Sequence, residues 1–238
     1  LASGDPYVLN DGNYYFSGDY DEGWGRDVID SSSRLVVEGD VVLCLADTRY
    51  SYEGTGEGSC GIEVKEGASL TICCCGRDEY YNYDGEIVFS NVGNGIDNHG
   101  TFTMAGGGVL ANTVAEGACA YNHASATMHA SGGGLSGASG NLNARNASYG
   151  IYNAPGGKLE ISGTARISGE QPGDGPVWEL TPTGPLVDVM TSDTITVSDL
   201  PTEEELLEDD NALRSYSIGW EGAAEAVVVS RVSGDADS

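Results

Sequence analysis

Three sets of residues in this sequence have the types and spacing to do chemistry. His99 and His123 hold equivalent positions in two neighbouring sequence repeats, and Asp97 lies two residues before the first of them. Two imidazoles one strand spacing apart, with a carboxylate beside them, make a weak transition-metal pair. The preferred reading is a stacked, outward-facing rung, because two adjacent histidines alone are a poor metal site. The second set is tyrosine-rich. Tyr50 and Tyr52 lie in the stretch 47–53, and Tyr80, Tyr81 and Tyr83 lie in 77–84. Both stretches leave the repeat after the same column, so the expectation is two adjacent loops presenting five rings as a recognition surface. The alternative is plain solvated insertions, since loops vary freely. Asp78, Glu79 and Asp84 in the second loop would offer oxygen ligands to calcium, although they match no calcium-loop spacing. No other cofactor is expected.

The third set is carboxylates, and here the sequence argues against catalysis. A glycosidase needs two carboxyl groups flanking the scissile bond. Between Val88 and Gly150 the only acidic residues are Asp97 and Glu116, and apart from histidines the only basic one is Arg145. No active site is assigned.

The elements that position these residues repeat. Ile96 to Met104 aligns without a gap on Ala120 to Met128, and Ile151-Tyr152-Asn153 with Gly157 to Ile161 aligns again. Four apolar columns follow. Val42, Leu70, Phe102, Ala126 and Leu159 form one; Cys44, Ile72, Met104, Met128 and Ile161 the next. Ile62, Ile96, Ala120 and Ile151 form the third, and Val88, Val109, Leu135 and Ile167 the fourth. The first column recurs every ~24–33 residues, a period that signals stacked repeats. Each repeat holds two or three short strands and no convincing helix. Strands returning to the same column in the same direction are parallel, so the fold class is all-β, a right-handed parallel β-helix. Asn98, Asn122 and Asn153 recur just before a turn and are expected to form a structural ladder, bonding to one another and to turn backbone.

Residues 1–169 are expected to be this solenoid with N-terminal lead-in strands, the repeats beginning at Arg34. Residues 170–238 are expected to cap its last coil with short strands and one helix near 202–213, where Thr202 and Glu205 form a capping box. The six cysteines show no zinc spacing. Inward ones are read as small hydrophobes, with a disulfide between neighbouring rows feasible.

Ten Lys and Arg face 37 Asp and Glu, a formal charge of −27. Such a surface repels nucleic acid, and no apolar run is long enough to insert in a membrane. The first residues show no signal peptide pattern.

The segment Gly95 to Gly107, GIDNHGTFTMAGG, resembles the glycine-rich repeat of bacterial cell-surface β-helix proteins built on the pectin-lyase-like fold and common in gut Gram-positive bacteria. Gly150-Ile151-Tyr152-Asn153 and Leu159 to Gly163 resemble it again, and Gly39 to Leu43 and Gly61 to Ile72 are similar to the stretch ahead of such arrays. The likeness covers roughly 34–169; the triple cysteine at 73–75 and residues 170–238 depart from it. The resemblance implies an extracellular or cell-wall-associated, non-enzymatic protein. It would act as an adhesin for a glycan or host surface protein, or as a ligand-free structural stalk; the rival reading is a polysaccharide lyase or hydrolase, since the resembled pectin-lyase-like fold also carries such enzymes.

Overall fold

A computed structural model describes residues 5–16, 19–21, 26–46, 48–74, 85–114, 117–139, 148–162 and 165–168, and strand backbone at 185–191, 196–197 and 215–220. Two sheets account for the strands. The larger contains β1 (Tyr7–Leu9), β3 (Asp19–Asp21), β4 (Arg26–Ser31), β5 (Leu35–Val37), β7 (Arg49–Val64), β9 (Glu86–Asn98), β11 (Gly108–Thr113), β12 (Gly117–Asn122), β14 (Gly134–Ser139), β15 (Ser148–Asn153), β17 (Arg166–Ser168), β18 (Pro185–Thr191) and β20 (Ser215–Trp220). The smaller contains β2 (Gly12–Tyr15), β6 (Asp40–Cys44), β8 (Ser69–Cys73), β10 (Thr101–Met104), β13 (Thr127–Ala130), β16 (Lys158–Ile161) and β19 (Thr196–Val197). Among the described residues there is no helix, and every strand pair is parallel except the hairpin of β3 with β4.

The larger sheet has two branches. One runs β1-β5-β7-β9-β12-β15-β18-β20; the other joins β4 to the first half of β7 and continues from the first half of β9 through β11 and β14 to β17. The long strands β7 and β9 serve both branches by turning a corner. Their pairing shifts register between Glu53 and Cys60, where Gly56 and Asn91 adopt positive φ and Asn91 Nδ2 donates to Gly54 O at 2.9 Å. Downstream, the chain visits the second branch, the main branch and the smaller sheet in that order, three times over: β11-β12-β13, β14-β15-β16, β17-β18-β19.

In-register pairing brings like residues together. Leu35, Ile62, Ile96, Ala120 and Ile151 align across the main branch, and all are buried. Val41, Leu70, Phe102, Met128 and Leu159 align on the smaller sheet, followed by Leu43, Ile72, Met104, Ala130 and Ile161. Tyr50, Ile87, Val109, Leu135 and Ile167 align on the second branch. Each fully buried Leu, Ile or Phe contributes about 1.5–3 kcal/mol of transfer free energy. Size is balanced locally: a Cβ at Gly61 would lie 2.2 Å from the Phe89 ring, so only glycine leaves room for it.

These registers correct several expected columns. Val41, not Val42, stacks on Leu70; Leu43, not Cys44, stacks on Ile72; Ile87, not Val88, stacks on Val109. The ungapped match of the two central repeats also fails after the asparagine, because Met128 pairs with Phe102 and Ala130 with Met104. The turn from Asn122 to Thr127 is two residues longer than that from Asn98 to Thr101, and Ser125 takes a positive φ within it. The array also begins earlier than Arg34, since β1 and β2 already pair in parallel with β5 and β6. Beyond residue 169, β18, β19 and β20 extend the same two sheets in parallel. The helix expected near 202–213 lies outside the described residues.

Cys60 and Cys119 are buried, and burial pushes their thiols up to about 11 and about 12, which keeps them protonated and inert. Cys44 is disulfide-bonded.

Asn98, Asn122 and Asn153 stack inside the corner between the two sheets and are almost wholly buried. Asn98 Nδ2 donates to Asn122 Oδ1 at 2.7 Å and to Thr127 O at 2.9 Å. Asn122 Nδ2 donates to Asn153 Oδ1 at 2.7 Å and to Lys158 O at 3.0 Å, and Asn153 Nδ2 donates to Gly157 O at 3.1 Å. Asn98 and Asn122 thus each spend one amide hydrogen on the next rung and one on the carbonyl of the strand residue that follows the turn. Gly157 must lack a side chain, because a Cβ there would sit 2.7 Å from Asn153 Oδ1 and 2.9 Å from Asn122 Nδ2. Asn122→Ala should cost about 3 kcal/mol, since it strands buried partners on both sides. The outward-facing Thr103→Ala should cost under about 0.5 kcal/mol. Urea denaturation of the two variants checks this, and equal midpoints would refute the ladder's contribution.

Candidate functional site

The buried ladder sets what surrounds it. Side chains alternate along a strand, so with Ile96 and Asn98 inward, Asp97 faces out, and His99 follows at the edge of the turn. The same holds for Ala120, Tyr121, Asn122 and His123, and for Ile151, Tyr152 and Asn153. In-register pairing then aligns Glu63, Asp97, Tyr121 and Tyr152 on the outer face. Beside them, His99 N donates to Val64 O at 2.9 Å and His123 N to Asn98 O at 3.0 Å, which continues the ladder into the turn.

The outer stripe is aromatic at one end and charged at the other. The Tyr121 and Tyr152 rings stack with centroids 4.8 Å apart and planes within 9°, and Tyr149 lies 6.1 Å from Tyr152. The His99 and His123 rings stack at 3.8 Å and 18°, and Tyr121 lies 4.5 Å from His123. His123 Nε2 is 2.8 Å from Asp97 Oδ1. Rings stacked on each other cover their own faces, so they offer edges and polar atoms outward. Glu63 is gripped by Arg34 at 2.9 Å and by Lys65, and Arg34 also donates to Cys60 Sγ at 3.4 Å.

Next to the charged end lies an open cleft of about 690 Å³ along the corner between the sheets. Its walls carry Asp40, Glu63, Glu66, Ser69, Thr101 and Thr127, with Lys65 and His99 also facing it. Burial alone would raise the Glu63 pKa, but the Lys65 hydrogen bond and the Arg34 charge outweigh burial and hold it below the ordinary value. Glu63 therefore stays ionised at neutral pH and is no proton donor.

The expected tyrosine surface needs correction. Arg49 to Glu53 is not a loop but the start of β7, where alternation turns Tyr50 and Tyr52 inward. Tyr50 is 2 % exposed, stacks on Phe16 at 4.7 Å and donates its hydroxyl to Ser33 O at 2.9 Å. Tyr52 is 8 % exposed and packs edge-on against Phe89. Neither can meet a ligand. Tyr80, Tyr81, Tyr83, Asp78, Glu79 and Asp84 lie outside the described residues. Tyr121 and Tyr152 are surface tyrosines absent from the expected recognition set; the repeat alignment, which puts them in the position of Asp97, is the signal that finds them.

No family model, curated protein or solved structure matches the chain. Among the described residues no helix is long and apolar enough to cross a membrane.

The Glu63 cluster gives a pH prediction. A carboxyl whose folded pKa is lowered stabilises the fold above its unfolded value and loses that contribution as pH falls through the folded value. The ordinary value is 4.5, so the gain of the parent over Glu63→Gln should be full at pH 7 and shrink as pH drops below about 4.5. Melting temperatures of both proteins from pH 7 to pH 3 check it; a difference that grows on acidification would refute the assignment.

Proposed function

We propose that this chain is a right-handed parallel β-helix of the pectin-lyase-like kind, displayed outside a bacterial cell or on its wall, that binds a glycan without cleaving it. Three-strand cycles in parallel register support the helix, and the general handedness of parallel crossovers supports its sense. The observation that carries the binding reading is the cleft beside the histidines. Ser69, Thr101 and Thr127 hydroxyls and the carboxylates of Asp40, Glu63 and Glu66 offer the acceptors and donors that a polyhydroxylated ligand needs.

Charge narrows the ligand. Three carboxylates against one lysine make the cleft negative, so it suits neutral sugars and repels uronates and sialic acids. A hydrolase needs a carboxylic acid kept protonated at working pH, and Glu63 is driven the other way. Adhesion through a glycan is the reading of the cleft that these groups support best.

A glycan array that includes neutral and acidic sugars tests it. Neutral glycans should bind, acidic ones should not, and Thr101→Val with Thr127→Val should weaken binding about tenfold. New reducing ends or unsaturated uronates on incubation would favour an enzyme instead. A blank array at high protein concentration would favour a ligand-free stalk.

A further inference from the structure

Asp97, His99 and His123 are drawn together by three features of the fold. Asp97 and Tyr121 occupy paired positions on β9 and β12, so Asp97 sits one strand spacing from the row that ends in His123. The buried Asn98–Asn122 hydrogen bond fixes the backbone between them, and both histidine amides are tied into the row before. The donor atoms of the three side chains all lie within 4.8 Å of one another, and no other His, Cys, Asp and Glu group among the described residues meets that condition.

We propose that these three residues form a site for a divalent transition-metal ion of the zinc, copper or nickel class. His99 and His123 supply imidazole nitrogens and Asp97 a carboxylate oxygen. Imidazole donors favour these ions over magnesium and calcium, which take oxygen ligands. Bonds of about 2.0–2.1 Å to a tetrahedral zinc place donors roughly 3.4 Å apart. His123 Nε2 and Asp97 Oδ1, at 2.8 Å, are already within that span. Closure needs the two imidazoles to turn out of their stacked arrangement so that one nitrogen of each faces the ion, a rotation about the broad χ2 torsion that partly exposed rings beside solvent can make. In the metal-free protein His123 Nε2 and Asp97 Oδ1 satisfy each other across 2.8 Å, and a bound ion would take the place of that contact.

The surroundings suit a cation. The chain carries a formal charge of −27, and Lys65, which lines the same cleft as His99, is engaged by Glu63. Asn94 Nδ2 approaches Asp97 Oδ1 at 3.4 Å and orients the carboxylate. Three protein donors leave a coordination position for water or for a donor atom of a molecule in the cleft that His99 lines. The site shares His99 with the cleft wall but does not rest on the glycan reading, because the metal donors are not the hydroxyls and carboxylates assigned to the glycan and the ligand is different.

Titration of the EDTA-stripped full chain with zinc, nickel, magnesium and calcium chlorides, followed by calorimetry, tests it. One equivalent of zinc or nickel should bind in the micromolar range, with no comparable heat from magnesium or calcium. His99→Ala, His123→Ala and Asp97→Asn should each weaken zinc binding about tenfold or more. His129→Ala should not, because its imidazole pairs with Glu160 on the smaller sheet. Copper added to the parent should show two nitrogen donors by electron paramagnetic resonance, and one in His99→Ala. Should either alanine variant melt early, His99→Gln and His123→Gln read the same loss with less change in shape. Zinc bound at well under one equivalent, binding unchanged in the histidine variants, or calcium binding as tightly as zinc would each overturn the proposal.

Discussion

Parallel pairing in register is the constraint on which this structure depends. It repeats each side-chain position at one strand spacing, about 4.8 Å, so every choice of residue must tolerate its own kind as a neighbour. Aliphatic side chains do so easily, as the Ile62–Ile96–Ala120–Ile151 column shows. Asparagine is the polar side chain that does so when buried, because its amide is both donor and acceptor and can bond to a copy of itself. A serine in the same corner would reach less far, and an aspartate would set like charges in contact without solvent. Asn98, Asn122 and Asn153 answer the polarity of the turn carbonyls without leaving a buried group unpaired.

The same constraint explains where charge appears. Glu63 and Asp97 are paired neighbours on the outer face, so two negative charges meet at one strand spacing. Each has a partner nearby: Arg34 and Lys65 for Glu63, His123 for Asp97. The next two rows switch to tyrosine, whose rings stack at no electrostatic cost. Acidic residues are accordingly sparse in the central repeats even though the whole chain carries 37 of them.

The period and the ladder were legible because only one register satisfies both. Ile62, Ile96, Ala120 and Ile151 are each followed, two residues on, by a buried rung, and a slip of one would turn that whole set outward. Legibility failed where two registers satisfy the hydrophobic pattern equally. Val41-Val42-Leu43 offers apolar residues to both faces, and only Asp40, held through Ser69 Oγ at 2.7 Å and opposite Ser69 in register, settles which valine is buried. The Asn122–Thr127 turn conceals its two extra residues because Ala126 and Met128 are both apolar, so either satisfies the column by type. Tyr50 and Tyr52 were misplaced for a different reason. Arg49-Tyr50-Ser51-Tyr52-Glu53 alternates as a half-buried strand does, but aromatic and charged residues beside a break in the repeat also fit a loop. The sequence displays the second branch of the larger sheet from Val109 to Ile167, but not that its column runs back through Ile87 to Tyr50, and the interior behind that strand receives both rings.

The move of the candidate site from loops to a sheet face changes what kind of recognition the molecule can perform. Loop tyrosines bind by adapting, and they lose entropy in doing so. Tyr121, Tyr152, His99 and His123 are instead borne on strands or their first turn residue, and their backbone is held by the ladder beneath them. Positions on regular elements are held more narrowly than positions on loops, which lowers the cost of ordering them around a ligand or an ion. A rigid array also fixes the distance between its rungs, so it selects ligands whose groups repeat at a matching interval or a single ion that spans two rungs. Asp97, His99 and His123 come from two adjacent rungs, the smallest unit on which the array can assemble a site that one repeat alone lacks.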